Sequence, residues 1–307
     1  MVDNVRNTVL LTGATGFFGS HLLKNLLKCT NNNIVVLKRS FSKTHRIESE
    51  LSSSRIVSYD IDKVSLEHIQ WNDIFAVIHC ATEYGRVGVP SSKILESNLI
   101  FPVNIAELAI KNGVNTFINT DSYFNKEGLS YQYLLDYSLS KKSLNLWLKY
   151  FSQKIKVVNM ILEHIYGEDD NPDKFVEKMI QDIAIKPKPE INLSGGDQKR
   201  DFIYIKDVCD AYVGALNYSQ KNNFRYKSFQ IGTGKAISLK DFVSFIKQIS
   251  NNNETKLNFG ALPYRADEIM FSVADTCELY NIVNVDKFCS FKEGIKNVIC
   301  YYRNKGK

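Results

Sequence analysis

Thr8-Val9-Leu10-Leu11-Thr12-Gly13-Ala14-Thr15-Gly16-Phe17-Phe18-Gly19 decides the fold. The apolar run Thr8 to Leu11 has strand character and leads straight into three glycines at a three-residue spacing. His21 to Lys28 then has helical character, and a second apolar strand follows at Ile34 to Leu37. This is a βαβ unit with a glycine turn at its first junction. Gly13 permits the tight turn, Gly16 lets the backbone approach a phosphate, and Gly19 lets the helix pack close to the strand. The helix N-terminus adds free N–H donors and a positive end. A lone glycine turn is also an ordinary flexible connection; its place inside a βαβ unit makes Thr12 to Gly19, with Thr15, Phe17 and Phe18, a candidate dinucleotide-pyrophosphate site.

Outward from this unit the alternation continues. Strands are expected at Arg55 to Tyr59, Phe75 to His79, Thr116 to Asn119 and Lys156 to Ile161, with helices near Ser97 to Lys111 and Tyr137 to Phe151. Alternation of this kind implies an α/β fold, a Rossmann-type doubly wound parallel sheet with helices on both faces. After Gly167 the pattern loosens into a helical Lys174 to Ile185, a proline-containing Lys186 to Ile191, the Ser194-Gly195-Gly196 turn and mixed short elements to the end. The expected division is a dinucleotide-binding domain over 1–167 with return segments near 200–235, and a smaller C-terminal substrate-binding lobe over 168–199 and 236–307.

With 307 residues, 44% hydrophobic and 23% charged, the composition is that of an ordinary globular chain and excludes a disordered or fibrous one. The net charge of +6 is spread without a basic run, so nucleic acid is not an expected partner, while affinity for a small anion is. Six widely spaced cysteines form no C-x-x-C pair, which signals neither a metal site nor a disulfide scaffold. No signal peptide or membrane-spanning run is read, so a soluble, cytoplasmic protein with no membrane partner is expected.

The acidic residue that takes the ribose hydroxyls of NAD stands ~20 residues beyond such glycines, at the end of the second strand. Here that place reads Leu37-Lys38-Arg39-Ser40. Lys38, Arg39 and Ser40 suit the ribose phosphate of NADP(H) where an aspartate would repel it, although basic residues are common at solvated strand ends. Asp60-Ile61-Asp62 is a candidate for the adenine amine and is equally read as a turn.

Proton transfer to a developing alkoxide suits a Tyr with a Lys four residues later on the same helical face, the ammonium lowering the phenol pKa. That spacing begins at Tyr59, Tyr137, Tyr150 and Tyr301. Tyr59 ends a strand, Tyr150 leaves the far end of a helix and Tyr301 lies in the polar tail. Tyr137 with Lys141 opens a helix, and the preceding strand delivers Thr120-Asp121-Ser122 at its C-terminal end, where open α/β sheets place their ligands. Thr120 is expected to hydrogen-bond the substrate oxygen beside Tyr137.

Together, Thr12 to Gly19, Asn98, Thr120, Tyr137 with Lys141, and Arg200-Asp201-Phe202-Ile203-Tyr204-Ile205-Lys206-Asp207 resemble the extended short-chain dehydrogenase/reductases, the NAD-dependent epimerase/dehydratase family, that act on nucleotide-activated sugars. The strings His79-Cys80-Ala81-Thr82-Glu83-Tyr84-Gly85, Asn119 to Phe124, Leu162-Glu163-His164-Ile165-Tyr166-Gly167, and Phe259 to Ala261 through Asp267 to Ala274 are similar to its CDP-abequose synthase branch of 4-ketoreductases. The resemblance implies catalytic places for Thr120, Tyr137 and Lys141. It implies cofactor places for the glycine turn, Lys38, Arg39, Ser40, Asp60, Ile61, Ala81, Thr82, Asn98 and His164. It implies substrate places for Glu83, Tyr84, Asp121, Ser122, His164, Lys174, Phe175 and Glu268, with Arg200 and Arg265 presenting guanidinium to a diphosphate.

Departures from the family shape the expected reaction. Its 4,6-dehydratases carry Asp-Glu after the catalytic Thr; here Asp121 is followed by Ser122, so dehydration is disfavoured. Many members have Asn at His164, and the 17-residue interval from Thr120 to Tyr137 is shorter than in common epimerases, so the loop beside the sugar differs. The reading is an NADPH-dependent 4-ketoreductase of a CDP- or dTDP-linked 4-keto-6-deoxyhexose, giving an abequose- or fucose-type sugar nucleotide for surface polysaccharide (O-antigen), in a homodimer. A nucleotide-sugar 4-epimerase and a non-catalytic dinucleotide sensor are the alternatives.

Overall fold

The computed structural model describes residues 6–85, 88–126 and 134–305. The chain forms two compact units. The first comprises Met1–Glu127, Leu134–Ile161 and Cys209–Phe229, and the second Gly128–Tyr133, Leu162–Val208 and Gln230–Lys307. Residues 127–133, part of the loop expected to differ beside the sugar, lie outside the described residues.

The elements run β1 (Thr8–Thr12), α1 (Phe17–Cys29), β2 (Asn33–Lys38), β3 (Ile56–Asp60), β4 (Ile74–His79), α2 (Ser91–Leu95), α3 (Phe101–Lys111), β5 (Thr116–Ser122), α4 (Leu135–Phe151) and β6 (Lys156–Leu162). They continue with β7 (His164–Tyr166), α5 (Phe175–Ile180), β8 (Glu190–Leu193), β9 (Lys199–Tyr204), α6 (Ile205–Lys221) and β10 (Tyr226–Ile231). The chain closes with β11 (Ala236–Ser238), α7 (Leu239–Ile249), β12 (Lys256–Phe259) and α8 (Phe291–Lys305). In the first unit seven strands form one parallel sheet in the order β10-β6-β5-β4-β1-β2-β3. Leu10 stands opposite Val35 on β2 and Val77 on β4. The order reverses between β1 and β4, so the C-terminal ends of these strands border the crevice in which such folds take ligands. β1 and β4 are buried along their whole length, as strands covered on both faces must be. Leu10, Val35, Val77 and Phe117 pack against Ile105 and Ala109 of α3 and Leu144 and Leu148 of α4 in one core.

The helices depart from the sequence expectation in three places. α1 starts at Phe17 rather than near His21, because Gly16 in an extended conformation is its N-cap, which draws Gly19 into its first turn. The helix expected from Ser97 is already helical at Ser91 and passes through a wide π-turn, Glu96–Ile100, just before Pro102, whose missing N–H cannot close the next helical bond. The end of the chain, expected to hold mixed short elements, contains α6, α7 and α8, of 17, 11 and 15 residues. Tyr301 therefore lies on a helix and not in a polar tail.

The second unit holds a three-stranded sheet, β11-β9-β7, and a parallel pair, β12-β8. Phe202 of β9 packs on Phe242 of α7 at 4.4 Å between ring centres, and Phe242 on Phe291 of α8 at 5.0 Å.

Candidate functional site

The glycine turn is built for a close backbone approach. Gly13 has φ +75°, and a Cβ there would come within 2.6 Å of the Ala81 nitrogen; one on Gly19 would come within 2.1 Å of the Gly13 oxygen. The turn and the end of β4 thus touch backbone to backbone, and Thr12 Oγ1 accepts from the N–H groups of Cys80 and Ala81, both at 3.2 Å. α1 has no side-chain cap and no acid in its first turn, which leaves its positive end to an anion. These features fit the pyrophosphate of a dinucleotide.

At the end of β2 the three residues expected to face a ribose phosphate have different fates. Lys38 is ion-paired to Asp60. Ser40 donates to Asp62 through both its N–H, at 2.7 Å, and its Oγ, at 2.6 Å, and these bonds pull the Asp62 carboxyl below its ordinary range. Arg39 is exposed, with its guanidinium 4.9 Å from the centre of the Phe41 ring. Asp60 and Ile61 form the turn that leaves β3: the Ile61 N–H bonds the Lys38 carbonyl and the Lys63 N–H that of Asp60.

Asn98, on the π-turn, is fully buried and clamps the loop after β4. Its Oδ1 accepts from Thr82 Oγ1 at 3.2 Å and from the Glu83 N–H at 2.7 Å, while its Nδ2 donates to the Glu83 carbonyl at 2.8 Å and to Ser140 Oγ at 3.1 Å. Both ends of its amide are therefore occupied by protein. The clamped loop carries Tyr84, whose ring stacks on that of Tyr137 at 5.0 Å and 23°.

Tyr137 and Lys141 open α4 on one face and are both buried. Burial raises the Tyr137 phenol well above its ordinary value, Tyr84 adds to the rise, and a hydrogen bond from the Ser122 side chain opposes it. The expected net lowering by Lys141 is therefore corrected: desolvation wins, and the phenol is firmly protonated. The Lys141 ammonium donates to the Thr120 carbonyl at 2.8 Å, and its own pKa is lowered by burial against the counter-pull of Asp121. Asp121 faces the other way, buried, accepting from the Ser122 N–H at 2.8 Å, Asn125 Nδ2 at 2.6 Å and Asn159 Nδ2 at 2.9 Å.

Ser122, buried two residues after Thr120 on the same face of β5, caps the turn that follows, its Oγ accepting from the Phe124 N–H at 3.4 Å. Thr120 Oγ1 instead accepts from the Tyr212 hydroxyl at 2.8 Å and donates to Cys80 Sγ at 3.4 Å. Tyr212, on α6, is wholly buried with its ring edge-on to Phe18 of the glycine turn at 4.8 Å. Tyr212 lies outside every motif quoted above, and nothing in the chain's linear order pairs it or Cys80 with Thr120.

In the second unit Arg200 is only 5% exposed, with Nη2 2.5 Å from Glu268 Oε1 and Nη1 donating to the Lys199 carbonyl at 2.9 Å. Arg265 is exposed three residues before Glu268. His164 sits edge-on to Phe202, with Nδ1 3.6 Å from the buried Glu163 carboxylate, which accepts from Ser272 Oγ at 2.9 Å. Burial lowers the His164 pKa despite Glu163, so the ring is neutral. Lys174 is paired to Asp170 at 2.9 Å, and Phe175 joins the aromatic core through Phe242. The structure thus joins Arg200 to Glu268 and turns Phe175 inward. Among the described residues no group of three or more His, Cys, Asp or Glu side chains is arranged to hold a metal, and no helix is long and apolar enough to cross a membrane.

Comparison with known proteins places this geometry. CDP-abequose synthase of Salmonella typhimurium is 33% identical over 299 residues, covering 96% of this chain and 98% of that protein, and CDP-abequose synthase of Salmonella muenchen is 34% identical over 302 residues, covering 97% and 99%. The solved structure of UDP-glucuronic acid 4-epimerase from Bacillus cereus, in complex with UDP-glucuronic acid and NAD, matches with a TM-score of 0.83 at 25% identity, covering 97% of this chain and 99% of that one. The model of the NAD dependent epimerase/dehydratase family matches residues 9–232, a span that holds the glycine turn, Ser122, Tyr137 with Lys141, and Arg200; to that family this chain belongs.

Proposed function

We propose that this chain is an NADP-dependent oxidoreductase that reduces the 4-keto group of a CDP- or dTDP-linked 4-keto-6-deoxyhexose, in the making of a deoxysugar for surface polysaccharide. The observation that carries the reading is the pair Tyr137 and Lys141, buried one helical turn apart on one face of α4, with Lys141 Nζ donating to the Thr120 carbonyl at 2.8 Å. A ketone reduced to an alcohol must gain a proton at oxygen, and the Tyr137 hydroxyl can supply it, with the Lys141 ammonium offsetting the burial that otherwise makes the phenol a weaker acid. The two relatives named CDP-abequose synthase, matched over nearly their whole length, support a sugar-nucleotide substrate.

When bound, the nicotinamide supplies the hydride that ends on the carbonyl carbon. Tyr137 gives its hydroxyl proton to the carbonyl oxygen, and the end of β5, with Thr120 and Ser122, supplies the hydroxyl that shares that oxygen. The Lys141 ammonium stabilises the phenolate left behind. The Tyr84 ring, flat against Tyr137, keeps water from the phenol, and Asn98 holds the Tyr84 loop in place. In the second unit Arg200, paired with Glu268, is proposed as a guanidinium for a diphosphate. Arg39 is proposed as the guanidinium for the ribose phosphate of NADP(H). A homodimer is proposed through α4, along which Leu139, Leu146, Trp147 and Tyr150 are exposed by 52, 69, 47 and 55%.

The test is NADPH consumption with a panel of CDP- and dTDP-linked 4-keto-6-deoxyhexoses, with and without a 3-hydroxyl, against NADH. Oxidation with one member establishes the reductase and its base, and Tyr137→Phe lowers turnover by about 10²–10⁴-fold while NADPH still binds. Interconversion of 4-epimers without net oxidation would replace this reading by the epimerase. Binding of NADPH with no turnover of any sugar would replace it by the sensor.

A further inference from the structure

β2 and β3 run parallel with Lys38 opposite Asp60, so the residues that follow the two strands leave the sheet side by side. Two positions past each strand end stand Ser40 and Asp62, and a two-pronged contact joins them. The Ser40 N–H donates to Asp62 Oδ1 at 2.7 Å and the Ser40 hydroxyl to Oδ2 at 2.6 Å, so each carboxylate oxygen holds one donor. The turn that carries Ser40 is itself closed, the Ser42 N–H bonding the Arg39 carbonyl at 3.0 Å. Nearby lysines gather on the neighbouring carboxylate: Lys38 is ion-paired to Asp60, and Lys63 Nζ lies 4.0 Å from the second Asp60 oxygen. Arg39 is exposed, with its guanidinium 4.9 Å from the centre of the Phe41 ring. A backbone N–H and a hydroxyl that grip both oxygens of one anion are a donor pair that a phosphate also takes. Here a carboxylate of the chain itself has them.

We propose that Asp62 sets the cofactor choice of this chain: its carboxylate holds the Ser40 N–H and hydroxyl that a ribose 2′-phosphate would take, so that NADPH gains these donors only by displacing Asp62, whereas NADH leaves the pair intact. This rests on the reading that a dinucleotide lies along the glycine turn with its adenosine ribose at the end of β2, and it needs no assumption about the sugar. Two anions cannot share one fork. A phosphate brought to Ser40 meets both donors engaged and a like charge within hydrogen-bond distance of them. Arg39 is then the attraction for the phosphate and Asp62 the opposition, and the ratio of NADPH to NADH affinity reports their balance. Chain order hides the opposition: twenty-two positions separate Ser40 from Asp62, and Asp62 follows the third strand, whereas an acid that selects NAD is ordinarily sought at the end of the second.

The experiment titrates NADPH and NADH by fluorescence against wild type, Asp62→Ala, Asp62→Asn, Ser40→Ala and the double variant Ser40→Ala with Asp62→Ala. Adenosine 2′,5′-bisphosphate and 5′-AMP serve as competing probes that lack the nicotinamide. Freeing donors for a charged group is worth about tenfold in affinity, so Asp62→Ala is expected to tighten NADPH and the bisphosphate by about 10-fold and to leave NADH and 5′-AMP within about twofold. Asp62→Asn keeps an acceptor and loses the charge, and is expected to fall between. Ser40→Ala takes one bond from each of the two competing anions, so alone it is expected to move NADPH by less than about threefold, yet to cancel most of the gain when added to Asp62→Ala; a merely structural tie does not produce that non-additivity. Equal changes for NADPH and NADH in Asp62→Ala, or NADPH binding that is unchanged or weaker, overturn the proposal and leave the cofactor reading in place. Binding of NADH alone by wild type, with NADPH gained in Asp62→Ala, upholds it and reverses the NADP preference. A wild-type chain that binds neither dinucleotide overturns the cofactor reading and this proposal with it.

Discussion

Replacing Asn98 by Ala removes a side chain that holds one loop to two helical segments. Four hydrogen bonds vanish: two accepted, from Thr82 Oγ1 and the Glu83 N–H, and two donated, to the Glu83 carbonyl and Ser140 Oγ. Ser140 keeps its bond to the Tyr137 carbonyl at 2.8 Å, and Thr82 can turn to solvent, so neither is stranded. The Glu83 N–H and C=O lose the amide that paired both of them, and an unmet polar group of this kind costs about 1–3 kcal/mol. Glu83 is half-buried, which admits some water and trims the sum to about 2–4 kcal/mol. At a urea m value of about 3 kcal/mol/M, the unfolding midpoint of Asn98→Ala falls by about 1 M. The freed loop also carries the ring stacked on Tyr137, so the proposed ketoreductase turnover falls with stability. Asn98→Asp should fare no better, because its second oxygen would face the Glu83 carbonyl that the amide now feeds. A midpoint for Asn98→Ala within about 0.2 M of wild type would refute this account of the clamp.

Arg39→Ala is expected to weaken NADPH by about 10–100-fold and leave NADH unaffected, since a hydrogen bond to a charged group is worth about 1.5–3 kcal/mol; equal losses for both, measured by fluorescence titration, would remove Arg39 from the phosphate. Alkylation with iodoacetamide at about pH 8, read by peptide mass spectrometry, should mark the exposed Cys29, Cys277 and Cys300 and spare Cys80, whose pKa of about 12 keeps it a thiol; modification of Cys80 in the native protein would contradict its placement. Trp147→Glu puts a charge on the exposed apolar face of α4 and should convert the proposed dimer to monomer in light scattering, whereas an unchanged mass would move the interface elsewhere.

The sheet and the glycine turn were legible because their signals are contiguous. Strand, glycines, helix and strand follow within thirty-eight residues, and each glycine's spacing states its own backbone demand. Helix ends were less legible. The helix expected from Ser97 begins six residues upstream and runs through a π-turn before Pro102, and α6, α7 and α8 stand where short elements were expected although each carries an apolar face at helical period.

By itself the amino-acid sequence determined the parallel α/β architecture, the phosphate-sized turn before α1 and the family, because these depend on neighbours along the chain. Only the tertiary structure decided where the protons and charges go. It tied Lys38 to Asp60 and Ser40 to Asp62, closed Arg200 on Glu268, and brought Tyr212 across ninety-two positions to Thr120. Hydrogen bonds and desolvation act over a few ångströms in space and are blind to sequence separation, so a side chain's partner, and with it its protonation, is settled only when distant segments pack.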